Sequence, residues 1–209
     1  PFQAPPFDKI KDSDYQPAIE AGMAEQLKEM KAIADNPAAP TFENTLVAME
    51  KTGQLFNRAM LAFSGVTGAN MNPVLQKVQD IEAPKLAAHD DAIYLDSKLF
   101  HRVETIYKER DSLKLDPESL RLVDFYYKKF VHSGANLSDA DKAKLKKLNE
   151  EESTLSNDFI TKLLAATKDA AYVTTDKAEL AGLSDAQIAA AAEAAKERKK
   201  EGWVLPLQN

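Results

Sequence analysis

Apolar residues recur at spacings of three and four along most of the chain, which is the period of a helix that buries one face. Ile19, Met23, Leu27, Met30 and Ile33 or Ala34 form the first such stripe, and it predicts a helix capped by Asp14 and stopped at Asn36-Pro37. Before it, Pro1 to Lys11 carries Pro5-Pro6 with Phe2 and Phe7 and reads as an extended arm that lays its rings on a neighbouring surface. Thr41 then caps a second predicted helix, in which Phe42, Leu46, Met49, Gly53, Phe56, Met60 and Phe63 alternate steps of four and three. Gly65 and Gly68 end that seam.

Asn72-Pro73 starts a third helix with a cap followed by proline at the first position, where a missing amide hydrogen costs nothing. Val74, Val78 and Ile81 are its predicted inward residues, and Pro84 inside it predicts a kink. Asp96 opens a further helix through Leu99, Val103, Ile106 and Leu113. Asp116-Pro117 repeats the cap-then-proline signal, with Gly134 as the stop. Ser138 and Asp141 then form a capping box for a long helix that carries Leu145, Leu148, Leu155, Phe159 and Leu163 inward to about Lys168.

The last stretch changes character. Ala171 to Thr175 has strand-like content, Ser184 caps an alanine-rich helix, and Gly202 leads into Trp203-Val204-Leu205. The fold class is therefore mainly α, a multi-helix bundle with a short strand-helix-strand unit at the carboxyl end. The organisation expected is an extended arm over residues 1–12, a helical bundle over 13–170 and the strand-helix-strand unit over 171–209. Two short strands leave edges unpaired, so the unit is expected to continue beyond Asn209. Pro1 at the start places any initiator or signal segment outside this sequence.

Composition narrows the class. The 209 residues are 44% apolar and 29% charged, enough to build a core and outside the disordered range. A net charge of −6 argues against nucleic acid as a partner. There are no cysteines, so thiolate metal sites and disulfides are excluded while the compartment stays open. No apolar run of about 18 residues is available to span a membrane.

Candidate chemistry is sparse. A gluzincin-type zinc site needs two histidines four apart on one helix face, and neither His89, His101 nor His132 has such a neighbour. A bundle di-iron site wants glutamate three residues before histidine, where Leu86, Lys98 and Lys129 stand. His89 beside Asp90 and Asp91 reads as a solvated helix end. Gly65-Val66-Thr67-Gly68 lacks the lysine and spacing of a P-loop, Phe63-Ser64-Gly65 is no nucleophile elbow, and both read as helix-breaking loops. Lys142, Lys144, Lys146 and Lys147 ahead of Glu150, Glu151 and Glu152 read as a solvated, salt-bridged face. Of Phe125, Tyr126 and Tyr127, at least one must pack inside. No catalytic or metal-binding residue is assigned, and the substrate-binding residues stay open.

The wording of particular segments says more. Pro5 to Met30, Asn36 to Glu50, Asn72 to Phe100, Phe130 to Ser153 and the closing GWVLPLQN resemble the amino-terminal part of the bacterial peptidyl-dipeptidases, also called dipeptidyl carboxypeptidases, within the thimet oligopeptidase family of zinc metallopeptidases. Thr41-Phe42-Glu43-Asn44-Thr45 is similar to a phrase found across that wider family. The resemblance implies an intact enzyme of roughly three times this length, mostly helical, with two lobes about a deep channel, that removes carboxyl-terminal dipeptides from oligopeptides with one zinc ion. It places the zinc ligands and the general-base glutamate downstream, so no family active-site residue falls on a position here. This segment would be a non-catalytic channel wall, inactive alone, with the remaining catalytic part of the same polypeptide and an oligopeptide substrate as its partners. The compartment expected is cytoplasmic, with periplasmic as the alternative. A freestanding helical binding or scaffolding module without enzymatic activity is the competing reading.

Overall fold

A computed structural model describes residues 5–206, and Lys168 by its backbone only. Phe2 in the arm and the last three residues of GWVLPLQN lie outside the described residues. Helix α1 (Asp12–Ala34) is followed by a π-helical turn (Phe42–Val47) that runs into a single α turn, α2 (Ala48–Glu50). Then come α3 (Gln54–Ala69), α4 (Pro73–Tyr94), α5 (Ser97–Glu109), α6 (Pro117–His132) and α7 (Asp139–Asp169). Strand β1 (Tyr172–Thr174), a 3-10 turn (Lys177–Leu180), α8 (Asp185–Glu197) and β2 (Trp203–Leu205) complete the order. Compactness divides the chain into two units, one up to Thr154 and one from Leu155.

In the first unit the apolar stripes close two cores. One gathers Met30 and Ile33 of α1, Leu46 and Met49, Ile93 of α4, Leu99, Val103 and Ile106 of α5, and Val123 and Phe130 of α6. The other gathers Tyr15, Ile19 and Met23 of α1, Ala62 and Phe63 of α3, and Leu75 and Val78 of α4. At 1.5 Å rise per residue, the 23 residues of α1 extend roughly 34 Å, so one helix serves both cores. Burying each large aliphatic side chain contributes about 1.5–3 kcal/mol, and this is what orders helices whose own propensity is modest.

Most helix boundaries follow the caps. Thr41 Oγ1 accepts the Asn44 amide hydrogen at 3.1 Å, Asn72 Oδ1 takes those of Val74 and Leu75, and Asp96 Oδ1 takes that of Leu99 at 2.7 Å. Asp116 does the same for Glu118 and Ser119, and Ser138 for Asp141. Gly134, at φ +96, ends α6 in a Schellman motif: the Ala135 amide donates to Phe130 O and the Gly134 amide to Val131 O.

Several expectations are corrected. Asp14 is not the cap of α1 but its third residue, where its carboxylate accepts the Lys11 amide at 2.9 Å. The second helix is two elements, because Gly53 sits at φ +70, a left-handed conformation that breaks the seam. Leu46 and Met49 consequently join one core and Phe63 the other. Gly65 and Gly68 do not break α3, which runs through both to Ala69 with open space where a Cβ would stand. On α4 Val78 is buried as expected and Ile81 half-buried, but Val74 is 52% exposed while its neighbour Leu75 is fully buried, and α4 continues through Pro84 to Tyr94. Leu113 lies beyond the end of α5 and is exposed. Leu148, Leu155, Phe159 and Leu163 of α7 are exposed rather than inward, and Leu145 is half-buried.

In the second unit β1 and β2 pair antiparallel, with Val173 opposite Val204. Ser184 and Gln187 cap α8 reciprocally. Ala191 and Ala195 of α8, Val204 and Leu180 are its buried apolar residues. The small alanine side chains suit close packing of α8 on β2.

The two glycines at the corrected positions separate the conformational claims. Gly53→Ala is expected to destabilise the chain by about 1–2 kcal/mol, because a Cβ strains the left-handed backbone. Gly65→Ala, in open helical space, is expected to stabilise it by about 0.5–1 kcal/mol. Urea unfolding midpoints of the two variants measure both, and equal shifts would contradict the break at Gly53.

Candidate functional site

The most elaborate polar site in the first unit surrounds Arg102 of α5, which is 5% exposed. Its Nε donates to Thr45 Oγ1 at 3.2 Å, Nη1 to Asn36 O at 2.9 Å and Ala38 O at 3.0 Å, and Nη2 to Asn44 Oδ1 at 2.8 Å. The planar fork suits this task, since it offers five donors in fixed directions. Asn44 Oδ1 also accepts the Thr41 amide at 2.8 Å, and its Nδ2 donates to Ala39 O at 2.9 Å. One guanidinium therefore holds both the end of the 36–41 loop and the start of the π-helical turn. The four acceptors are carbonyl, amide and hydroxyl oxygens, so burial, uncompensated by a carboxylate, pulls the Arg102 pKa below its ordinary value.

Sequence reasoning passed over Arg102, although a signal was present. It lies three residues after Leu99 and four before Ile106, on the stripe that enters the core. Replacing it is expected to be severe: Arg102→Met removes four hydrogen bonds and strands their acceptors, a loss of about 3 kcal/mol or more. Arg102→Lys should recover little of it, because a single ammonium cannot span the acceptors. Urea titration of the two variants checks this, and a fully restored lysine variant would contradict the geometric role of the fork.

A second polar group lies on the buried stripe of α4. Glu82 is 1% exposed, and its Oε1 accepts from Lys85 Nζ at 2.9 Å, while Lys85 also donates to Glu20 of α1. About two turns beyond Glu82, His89 is not at a solvated helix end: it is 4% exposed, its Nε2 lies 2.8 Å from Gln26 Oε1, and its ring packs on Phe56 with centroids 5.0 Å apart. Asp91 is buried as well and accepts from Asn149 Nδ2 at 2.7 Å, whereas Asp90 is exposed. Glu82 Oε2 and His89 Nδ1 have no protein partner.

Burial pushes the Glu82 carboxyl above its ordinary value, with the Lys85 ammonium opposing, and pulls the His89 imidazole below its own, with the Asp90 carboxylate opposing. The two therefore act on stability with opposite signs. The Glu82 contribution is fully present below pH 4.5 and is lost as pH rises through its raised folded value. The His89 contribution is fully present above pH 6.5 and is lost as pH falls through its lowered folded value. Relative to Glu82→Gln, the parent chain should thus lose stability on going from pH 5 to pH 7. Relative to His89→Gln, it should lose stability on going from pH 7 to pH 5. Parallel urea-midpoint profiles for parent and variants would refute the assignment.

The remaining candidates are structural or surface groups. Among the described residues, no group of three or more His, Cys, Asp or Glu side chains is placed to hold a metal ion. His101 and His132 are exposed. His132 lines an open cleft of 530 Å³ with Arg121, Asp124, Phe125, Lys128 and Lys129. Tyr126 is buried with its hydroxyl donating to Glu50, Tyr127 stacks on Tyr107 with centroids 3.7 Å apart, and Phe125 points outward. Lys144 pairs with Asp141 on the surface, but Lys142 departs from the expected solvated face. It is 6% exposed, and its ammonium donates to Leu95 O at 3.1 Å and Ser97 Oγ at 2.8 Å. Among the described residues these buried polar groups tie one segment of the first unit to another.

Comparison with known proteins identifies the context of this scaffold. No family model matches the chain. It is 46% identical over 210 aligned residues to the dipeptidyl carboxypeptidase of Salmonella typhimurium, and 44% identical to that of Escherichia coli. Each match covers 100% of this chain and 31% of the relative. Oligopeptidase A of Escherichia coli is 23% identical over 99% of this chain and 30% of its own length. The homologues are thus peptidases, and the chain matches the amino-terminal part of dipeptidyl carboxypeptidases, as the resemblance implied. It spans less than a third of the length of these relatives. No helix of the described residues is long and apolar enough to cross a membrane.

Proposed function

We propose that this chain is the amino-terminal, non-catalytic helical part of a zinc metallopeptidase that releases carboxyl-terminal dipeptides from oligopeptides, and that its helices form part of the substrate-channel wall. The observation that carries the reading is the match along the entire chain, at 46% and 44% identity, to the amino-terminal part of two proteins named dipeptidyl carboxypeptidase. The partners are the catalytic remainder of the same polypeptide and an oligopeptide substrate, and the compartment is cytoplasmic, with periplasmic as the alternative.

Zinc supplies an activated water and polarises the scissile carbonyl in such enzymes. The donor set of this chain does not fit that ion: His89 is engaged in the core with Gln26, and no gathering of carboxylates and imidazoles exists among the described residues. The ligands belong to the remainder of the polypeptide. The contribution of this segment is shape, a wall of bundled helices that shapes the entrance, turns away large folded proteins and moves as the lobes close.

The test compares the intact polypeptide with the 209-residue chain on an amino-blocked tripeptide. The intact protein should release the carboxyl-terminal dipeptide, lose activity to a chelator and regain it with zinc, while the chain alone is inert. An intact polypeptide that releases no dipeptide would leave a freestanding binding module, and chelator-sensitive cleavage by the chain alone would overturn the non-catalytic role.

A further inference from the structure

The distal half of α7 presents apolar side chains to solvent. Leu155, Phe159 and Leu163 are 60%, 64% and 49% exposed, and Ile160 beside them is 48% exposed. Steps of four place the first three within an arc of about 80° on the helix surface, so they form one ridge. Within its unit, neither the β1–β2 pair nor α8 makes more than slight contact with α7. A continuous apolar ridge on a helix otherwise rich in Lys, Glu and Asp marks a surface built for contact.

The dimensions select the occupant. Four half-exposed side chains offer roughly 400 Å² per copy, about half of what each partner buries in a stable interface between separate molecules. A second copy is therefore a poor fit. A tethered partner needs far less area, because linkage in one polypeptide removes most of the cost of association. The relatives matched here have more than two thirds of their length outside the region this chain spans. A ridge of residues four apart is also the shape that seats in the groove of another helix.

We propose that Leu155, Phe159 and Leu163, flanked by Ile160, are the docking face for an amphipathic helix contributed by the portion of the polypeptide that follows this chain. The inference rests on the reading of the chain as a segment of a longer peptidase and names the surface through which it engages the remainder.

The experiment uses the intact polypeptide with p-benzoylphenylalanine at Phe159, and at Ala165, about a third of a turn around the helix, as control. Irradiation and peptide mapping should give an intramolecular cross-link from position 159 to a segment beyond residue 209, in yield roughly fivefold above the control. A doubled molecular mass would instead assign the face to a second copy, and a cross-link confined to residues 5–206, or a yield no higher than the control, would show that no downstream helix covers it. Each of these three results overturns the inference. Dipeptide release by the same preparation is read separately. Cross-linking downstream without dipeptide release rejects the peptidase reading alone, and dipeptide release without downstream cross-linking rejects the docking face alone.

Discussion

A single buried guanidinium sets the geometry of the first unit. Arg102 enters the core from α5 and takes its acceptors from the loop after α1 and from the first turn of the π helix. Without it, the carbonyls of Asn36 and Ala38 would be left facing apolar surroundings, at a cost comparable to the whole net worth of several hydrogen bonds. Because Met30, Ile33, Leu46 and Met49 precede or follow these anchored residues, the first core inherits its registration from the clamp. The phrase Thr41-Phe42-Glu43-Asn44-Thr45, which carries part of the family resemblance, thereby has a mechanical meaning. Asn44 caps the turn and receives the guanidinium, and Thr45 accepts its Nε hydrogen.

The same economy explains what was legible in the sequence. Helix starts at Thr41, Asn72, Asp96, Asp116, Ser138 and Ser184 are local events, in which a side chain satisfies backbone donors two or three residues away, and local chemistry is readable from a single chain. The break at Gly53 was not, because Leu46, Met49, Phe56 and Phe63 keep the spacing of one helix while belonging to two cores. Only tertiary packing decides that. Gly65 and Gly68 erred in the other direction: glycine weakens a helix by about 1 kcal/mol, too little to stop one whose neighbours Ala62 and Phe63 are buried.

Polar residues on apolar stripes formed the other illegible class. Arg102, Glu82, His89 and Lys142 sit at positions that periodicity assigns to the interior, and their types invite a surface reading. Three have partners distant in sequence, Arg102 in residues 36–45, His89 in Gln26 and Lys142 in Leu95 and Ser97, whereas Glu82 accepts from Lys85 three residues on, which also donates to Glu20 of α1. Such groups are costly unless bonded, so their number points to a scaffold held in one arrangement rather than one free to repack. Of the candidate chemistry, the place of His89 in the core was not legible, because its partner Gln26 lies on another helix.

On the reading proposed above, these features bear on how a non-catalytic segment would matter to a peptidase. The chain aligns over its full length both with dipeptidyl carboxypeptidases and, at 23% identity, with oligopeptidase A, proteins whose names denote different peptidase activities. A scaffold contributes to hydrolysis through position, since an error of about 1 Å in presenting a peptide to a metal-bound water can cost a hundredfold in rate. On the proposed reading, the internal clamps would hold the shape of the first unit, and the apolar ridge on α7 would be where the segment is fastened to the rest of the polypeptide.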